Sequence, residues 1–213
     1  MGITIHYRGT IKDINDAVTL EKQLMALARS VGIDARIWWS QSEKQPGRVV
    51  RGALFNVAPN VEIASFLVSP EGWLLPSVSI EDSENDTIKE PPWVAVKTQF
   101  GPVEAHVAVV EILRALKDNF FPDLEVHDEG EYWETRRISR LLSRMNQLKM
   151  AMDKLMEALE PHVSEIVDDS DTDDDYDEDA QIQRLILLAK HAQSQLRRPS
   201  SDCFLPDPRL QAQ

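Results

Sequence analysis

The N-terminal part of the chain shows first a strand period and then a helix period. Apolar and polar residues alternate in ITIHYR, at residues 3–8, as a half-buried strand requires. A helix is predicted over residues 14–31, because Asp13 can cap its start, apolar residues follow at helical spacing, and Gly32 can end it. Five short apolar or aromatic runs then predict five strands: ARIWWS, VVRGALFNVAP, EIASFLVSP, GWLLPSVSI and WVAVKTQF.

A second helix and a last strand complete this region. The helix should start at Gly101-Pro102, since proline loses no hydrogen bond in the first turn of a helix. Apolar residues as far as Phe120 cover much of its circumference, so we expect it to lie against the sheet, with Glu111 in solvent. The run LEVH predicts a short strand. Together these elements predict an α+β domain over residues 1–130, with a mixed or antiparallel sheet and two packed helices.

Apolar residues recur every seven positions in the last third of the chain, as in a coiled coil. The pattern predicts a long helix over residues 135–165, which Pro161 should kink or end. A second amphipathic helix ends before Pro199, so we expect an antiparallel helical hairpin over residues 131–198 and a flexible tail over 199–213. The heptad positions are Ile138, Leu141, Met145, Leu148, Met152, Leu155, Leu159 and Ile166.

The two predicted C-terminal helices differ in length, and this difference predicts a further contact. The shorter helix cannot cover the whole apolar stripe of the longer one. The remaining apolar surface must therefore pack on the α+β domain or on another chain. We expect both kinds of contact and predict a homodimer through the long helix.

Most of the negative charge lies in one segment between these two helices. The chain has 36 acidic and 23 basic residues, and residues 168–179, DDSDTDDDYDED, contain nine of the acids. Removing those nine would change the formal net charge from −13 to −4. Such a block repels itself and stays solvated. We therefore expect an acidic loop whose carboxylates, including Asp173, Asp174 and Asp175, meet a basic protein partner.

The acidity argues against two classes of partner. Proteins that bind nucleic acid or anionic lipid need a basic surface. Basic stretches from Arg136 to Lys149 and from Arg184 to Arg198 weaken this argument for nucleic acid without reversing it. No apolar run is long enough to span a membrane, and the N-terminus has no signal-peptide pattern, so we expect a cytoplasmic protein.

Charged residues cluster where the two predicted regions meet, in HDEGEYWETRR. His127, Asp128 and Glu131, with His106 from the preceding helix, could bind a divalent metal through imidazole and carboxylate ligands. Ligand sites at strand ends are common in open α/β sheets. These residues support one hypothesis, a metal-dependent hydrolase around His127. Their spacing matches no established metal motif, and the sequence contains no GxSxG, GxxxxGK(S/T), GxGxxG or HExxH.

The same junction supports a second hypothesis, an interaction surface. Tyr132, Trp133 and Glu134 form an aromatic and acidic patch that suits a cationic partner. With the acidic loop, this patch favours a non-enzymatic protein-interaction or regulatory module, and the metal-dependent hydrolase is the alternative. We expect no cofactor in the first case and a divalent metal in the second. The single cysteine, Cys203, lies in the predicted tail.

The segment PPWVAVKTQFGPVEAHVAVVEILRALKDNFFPDLEVHDEGEYWETR resembles a family of uncharacterised bacterial proteins that share VKTQFGP, LEVxDEG and YWET elements. The resemblance covers residues 90–137 best and the N-terminal strand and helix more loosely. It implies a cytosolic bacterial protein. It implies no reaction, ligand or functional residue.

Overall fold

The computed structural model describes residues 2–43, 45, 47–84, 87–159 and 177–198. Within these ranges the chain forms seven strands and six α-helices. The strands are β1 (Thr4–Arg8), β2 (Asp34–Gln41), β3 (Val49–Asn56), β4 (Ala64–Val68), β5 (Leu74–Leu75), β6 (Val94–Lys97) and β7 (Glu125–Asp128). The helices are α1 (Ala17–Val31), α2 (Ile80–Glu84), α3 (Val103–Asn119), α4 (Tyr132–Thr135), α5 (Ile138–Leu159) and α6 (Glu178–Gln195).

The predicted α+β fold class is confirmed, with two antiparallel sheets where one was expected. The first sheet has the strand order β6-β1-β7, and the second has the order β2-β3-β4-β5. Backbone hydrogen bonds join the two sheets just after β1. Gly9 O accepts from Leu74 N at 2.9 Å, and Ile11 N donates to Gly72 O at 2.7 Å. The segment that follows β1 therefore holds the second sheet against the first.

The first predicted helix forms at the expected place. A short 3-10 turn precedes α1, and Asp13 Oδ1 accepts a hydrogen bond from Asn15 N at 3.0 Å. Gly32 has a left-handed φ of 71° and ends α1, as the sequence predicts. The buried side chains of both sheets, α1, α3 and α6 form one large hydrophobic cluster. This cluster is the core of the described structure.

The fourth predicted strand is much shorter than its apolar run. Only Leu74–Leu75 pairs with β4. Pro76 follows directly, and the chain turns into a 3-10 helix and then α2. Proline has no backbone N–H to donate to a strand ladder, which explains why the strand stops there.

The two C-terminal helices pack differently from the predicted hairpin. α6 lies mainly on α3 and α1, whereas α5 makes its main contacts with α3 and α4. Leu185, Leu188 and Ala192 of α6 are buried in the core together with side chains of the sheets. α3 therefore covers the apolar face of α6 that the hairpin model assigned to the long helix.

Two features of the chain bear on the sequence predictions. None of the helices in the described ranges is both long and apolar enough to cross a lipid bilayer. Most of the predicted acidic loop, with Asp173, Asp174 and Asp175, lies outside the described residues, as do Cys203 and the predicted tail at 199–213.

Candidate functional site

The Asp128 carboxylate organises the turn between β7 and α4. Asp128 Oδ1 accepts a hydrogen bond from Gly130 N at 2.7 Å. Asp128 Oδ2 accepts from Tyr132 N at 2.7 Å and from Trp133 N at 2.8 Å. Glu131 lies between them with a left-handed φ of 59°. The first N–H groups of a helix lack partners within the helix, and the Asp128 carboxylate satisfies two of them in α4.

His106 and Thr98 extend this network into the core. His106 Nε2 lies 3.0 Å from Asp128 Oδ1, and His106 Nδ1 lies 2.8 Å from Thr98 Oγ1. All three side chains are buried. Burial raises the pKa of Asp128, but the close contact and charge of His106 and the amide hydrogen bonds from Trp133 and Gly130 together lower it below its ordinary value. The Thr–His–Asp order resembles a proton relay, but one with almost no exposure to solvent.

The structure brings together only part of the predicted metal site. His106 and Asp128 meet, as described above. His127 is exposed on the opposite face of β7, where its ring centroid lies 6.1 Å from that of His6. Glu131 is hydrogen-bonded to Arg140 and Arg144 of α5. In the ranges that the structure describes, no group of three or more His, Cys, Asp or Glu side chains could hold a metal ion.

Tyr132, the first aromatic residue of the predicted interaction patch, is a core residue. Its hydroxyl donates to Glu111 Oε1 at 3.3 Å. Glu111 was expected in solvent but is buried, because Arg136 Nη2 also donates to both of its carboxylate oxygens at 2.9 Å. Burial, with the nearby charge of Glu111, raises the pKa of Tyr132. Tyr132 is only 7% exposed, so little of its ring is open to solvent.

Trp133 and Glu134 lie nearer the surface. Trp133 is half-buried, and the Arg114 guanidinium lies 4.6 Å from the centroid of its ring. Arg114 Nη2 also donates to Trp133 O, and Lys117 Nζ lies 6.0 Å from the ring. Two cations of the chain's own α3 thus occupy the neighbourhood where a cationic partner was predicted. Glu134 is exposed.

Several cations of the two basic stretches are paired within the chain. Arg136 binds Glu111, and Arg140 and Arg144 both bind Glu131. At the end of α6, Arg198 lies within ion-pair distance of two carboxylates near the start of α1, Asp13 and Asp16. These pairs reduce the positive charge that the helices present to a phosphate backbone.

The apolar stripe of α5 is only partly covered by the rest of the chain. Leu141 is fully buried, and Met145 and Leu148 are half-buried. From residue 149 to residue 154 every side chain is exposed. The helix has 22 residues and a length of about 33 Å at 1.5 Å per residue. Its N-terminal half is therefore attached to the domain, and its later turns extend beyond it.

A groove with a volume of about 480 Å³ lies between α5 and residues 99–103, which lead into α3. Three of its apolar side chains are unusually open: Phe100 is 53% exposed, Leu142 40% and Met152 37%. We call this surface the α5 groove; its apolar lining residues are Phe100, Val103, Leu142, Met145, Leu148 and Met152.

A second pocket adjoins the α5 groove at Val103, which lines both. It lies between α3, α6 and the start of α5, and its volume is about 560 Å³. We call it the α6 pocket; its apolar lining residues are Val103, Val107, Ile138, Leu185, Ile186 and Ala189. Because Ile138 and Leu142 are one turn apart on α5, the two cavities form neighbouring parts of one apolar surface.

The sequence did not identify the residues of the α5 groove and the α6 pocket as a candidate site, apart from the heptad positions on α5. Phe100 is the last residue of the predicted strand run WVAVKTQF and was therefore assigned to that strand, whereas β6 ends at Lys97. Leu142 directly follows the heptad residue Leu141. This extra apolar residue is the sequence signal for the groove, because it widens the apolar stripe of the helix to one side.

Comparisons with protein-family models, curated proteins and solved structures found no match to this chain.

Proposed function

We propose that this protein is a non-enzymatic cytoplasmic interaction module that binds an amphipathic helix of a protein partner in the α5 groove. One observation supports this proposal above the others. An apolar row on α5 remains open to solvent beside an exposed phenylalanine, Phe100, although the core of the domain is otherwise well covered. Contiguous exposed apolar surface of this kind is typical of interaction sites.

The shape of the surface favours a helix as its occupant. Ile138 in the α6 pocket and Met152 in the α5 groove are separated by about 21 Å along α5. That span equals about four turns of a partner helix, which would place apolar side chains at i, i+3 or i+4, and i+7 along it. Met145 and Met152 add flexible, polarisable side chains that adapt to the shape of a partner.

The charges at the rim specify the polar edge of that helix. Lys149 and Asp153 line the α5 groove one turn apart, and neither has an ion-pair partner among the described residues. A partner helix with an acidic and a basic residue one turn apart can complement both. The basic partner predicted for Asp173, Asp174, Asp175 and Glu134 remains a separate prediction, which the same experiment tests.

The test is a selection from a displayed library of 15-residue helical peptides against the full chain. We expect enriched peptides to share the apolar spacing and to bind Leu142→Glu and Met152→Glu at least about tenfold more weakly, as anisotropy titrations would measure. Val78→Glu is the matched control, because Val78 is 88% exposed and lines neither cavity. Thermal melting checks that each variant is folded.

Two outcomes would contradict the proposal. One is that no peptide is enriched, and the other is that the enriched peptides bind Leu142→Glu as tightly as the wild type. Loss of binding on deletion of residues 168–176, with the groove variants unaffected, would assign the interaction to the acidic run instead.

A further inference from the structure

The outer edge of β2 is free of strand partners. β2 is the first strand in the order β2-β3-β4-β5, so it pairs with β3 on one side, and no described strand pairs with its other side. Its eight residues span about 27 Å. Along that length its outward N–H and C=O groups have no partner strand in the described part of the chain. A free edge of this kind is a template for another strand.

The charged side chains of β2 that can protect this edge are Asp34 and Arg36. Proteins commonly block free edges with lysine, proline or a bulge. The strand reads DARIWWSQ and contains neither lysine nor proline, and all eight residues pair in continuous register with β3. Ile37 is 48% exposed and Trp39 is 56% exposed. Both point to the face on which Arg51 of β3 binds Glu21 of α1, since Trp39 lies opposite Arg51. An apolar strip therefore lies directly beside the open edge.

We propose that the β2 edge binds the β2 edge of a second copy of this chain, in antiparallel orientation, so that the two four-stranded sheets form one continuous sheet. The two-fold axis passes beside Ile37. In this register Ile37 of each copy faces Ile37 of the other, and Ala35 faces Trp39. On the opposite face of the sheet, Arg36 faces Trp38.

In this register the strand is complementary to itself, which favours a second copy of this chain as its partner. The exposed apolar residues Ile37 and Trp39 come together on one face, where cross-strand apolar and aromatic pairs stabilise sheets. On the other face the guanidinium of Arg36 lies next to the indole of Trp38, a favourable cation–π pairing made twice by symmetry. No like charges face each other, and nearly the whole strand takes part. This surface differs from the long helix, through which the sequence predicts a homodimer.

Cysteine cross-linking distinguishes the two surfaces. The chain has one native cysteine, so the experiment uses a Cys203→Ser background. Ile37→Cys places a thiol beside the proposed axis, Met152→Cys places one on α5, and Val78→Cys reports random collisions at an 88% exposed site. We expect mild oxidation to convert Ile37→Cys into a covalent dimer at least about tenfold faster than Val78→Cys, because facing residues of an antiparallel pair lie within disulfide distance.

Light scattering of the full chain provides the second measurement. The wild type is expected as a dimer whose melting temperature rises with protein concentration, and Ile37→Lys, which adds a charge at the edge, as a folded monomer whose melting temperature does not. Trp39→Lys should act in the same way. A wild type that remains monomeric at about 100 μM would overturn the proposal, because a sheet continuous between two copies should associate more tightly than that. So would rapid cross-linking at Met152 with none at Ile37.

Discussion

The turn around Asp128 and the exposed face of α5 lie close together in the chain but have opposite characters. In the turn, Asp128 and Tyr132 are buried, as is His106 of α3, and all three have hydrogen-bond or ion-pair partners. On α5, apolar residues such as Leu142 and Met152 remain exposed. The sequence marks the turn as the site because its polar residues stand out. The structure indicates that the less conspicuous helix has the open surface.

The difference has a simple physical basis. A buried polar group must be paired, so a dense polar cluster in a sequence can be a self-contained structural unit. An apolar side chain has no such local means of compensation. If the chain's own elements do not cover it, only another molecule can.

Replacing Asp128 by Asn should have the largest effect on stability. The carboxylate accepts hydrogen bonds from three backbone amides and contacts His106, and an amide group cannot accept from all of them. Breaking a buried charged interaction typically costs about 3–5 kcal/mol, and we expect the unfolding free energy in urea to fall by roughly that amount. Glu134→Gln, in the same turn but exposed, is the control and should be near neutral. Similar stabilities of the two variants would refute a structural role for the Asp128 network.

Two adjacent leucines provide a matched pair on α5. Leu141 is fully buried, so Leu141→Ala should lower the unfolding free energy by about 2–5 kcal/mol. Leu142 is 40% exposed, so Leu142→Ala should lower it by less than about 1 kcal/mol. Leu142→Ala should weaken the binding of a helical peptide more than Leu141→Ala does, although it lowers the unfolding free energy less. Equal destabilisation by both variants would mean that Leu142 belongs to the core and that the groove is not an open surface.

The Asp128 network also predicts a dependence of stability on pH. The pKa of Asp128 in the folded protein is lowered from its ordinary value of 3.8, because contacts with His106 and two amides outweigh the effect of burial. A carboxyl group of this kind stabilises the fold fully above its ordinary pKa, and the contribution is lost as the pH falls through the lower, folded-state pKa. Between about pH 5 and about pH 2 the unfolding free energy of the wild type should therefore fall more steeply than that of Asp128→Asn. Parallel curves would exclude this contribution.

The smallest effect is expected at Glu131. The hydrogen bonds of Arg140 and Arg144, which outweigh desolvation, lower the pKa of Glu131, but these groups are well exposed and solvent screens them. Glu131→Gln should lower the melting temperature only slightly, and high salt should abolish the difference. A large, salt-independent change would show that these arginines fix the start of α5 on the domain.

Local elements were largely predictable from sequence. The Asp13 cap, the Gly32 terminator and the alternation in β1 are short-range signals, and each produces the expected element. The turn after Pro102 likewise begins α3. The boundaries of β5 were not predicted, because a run of apolar residues does not reveal whether a neighbouring strand is available to pair with each of them.

The candidate sites were less predictable. Sequence reasoning grouped His106 with Asp128, and the structure does bring these two together. It also grouped His127 with them, although consecutive residues of a strand point to opposite faces. The sequence predicted Glu111 in solvent because helical periodicity identifies the polar face of a helix but not the side chains that pack on it. In the structure Arg136, at the end of α4, forms an ion pair with Glu111.

The sequence by itself determined the secondary structure of most of the chain, the α+β class, and the presence of a long helix with more apolar surface than its own sequence neighbours cover. These properties follow from hydrogen bonding and hydrophobic periodicity over a few residues. Three features required the tertiary structure: the packing of α6 on α3, the burial of Asp128, and the outer edge of β2, beside Ile37 and Trp39, which no described strand covers. Each of these depends on which surfaces meet across long separations in sequence, and periodicity contains no information about that choice.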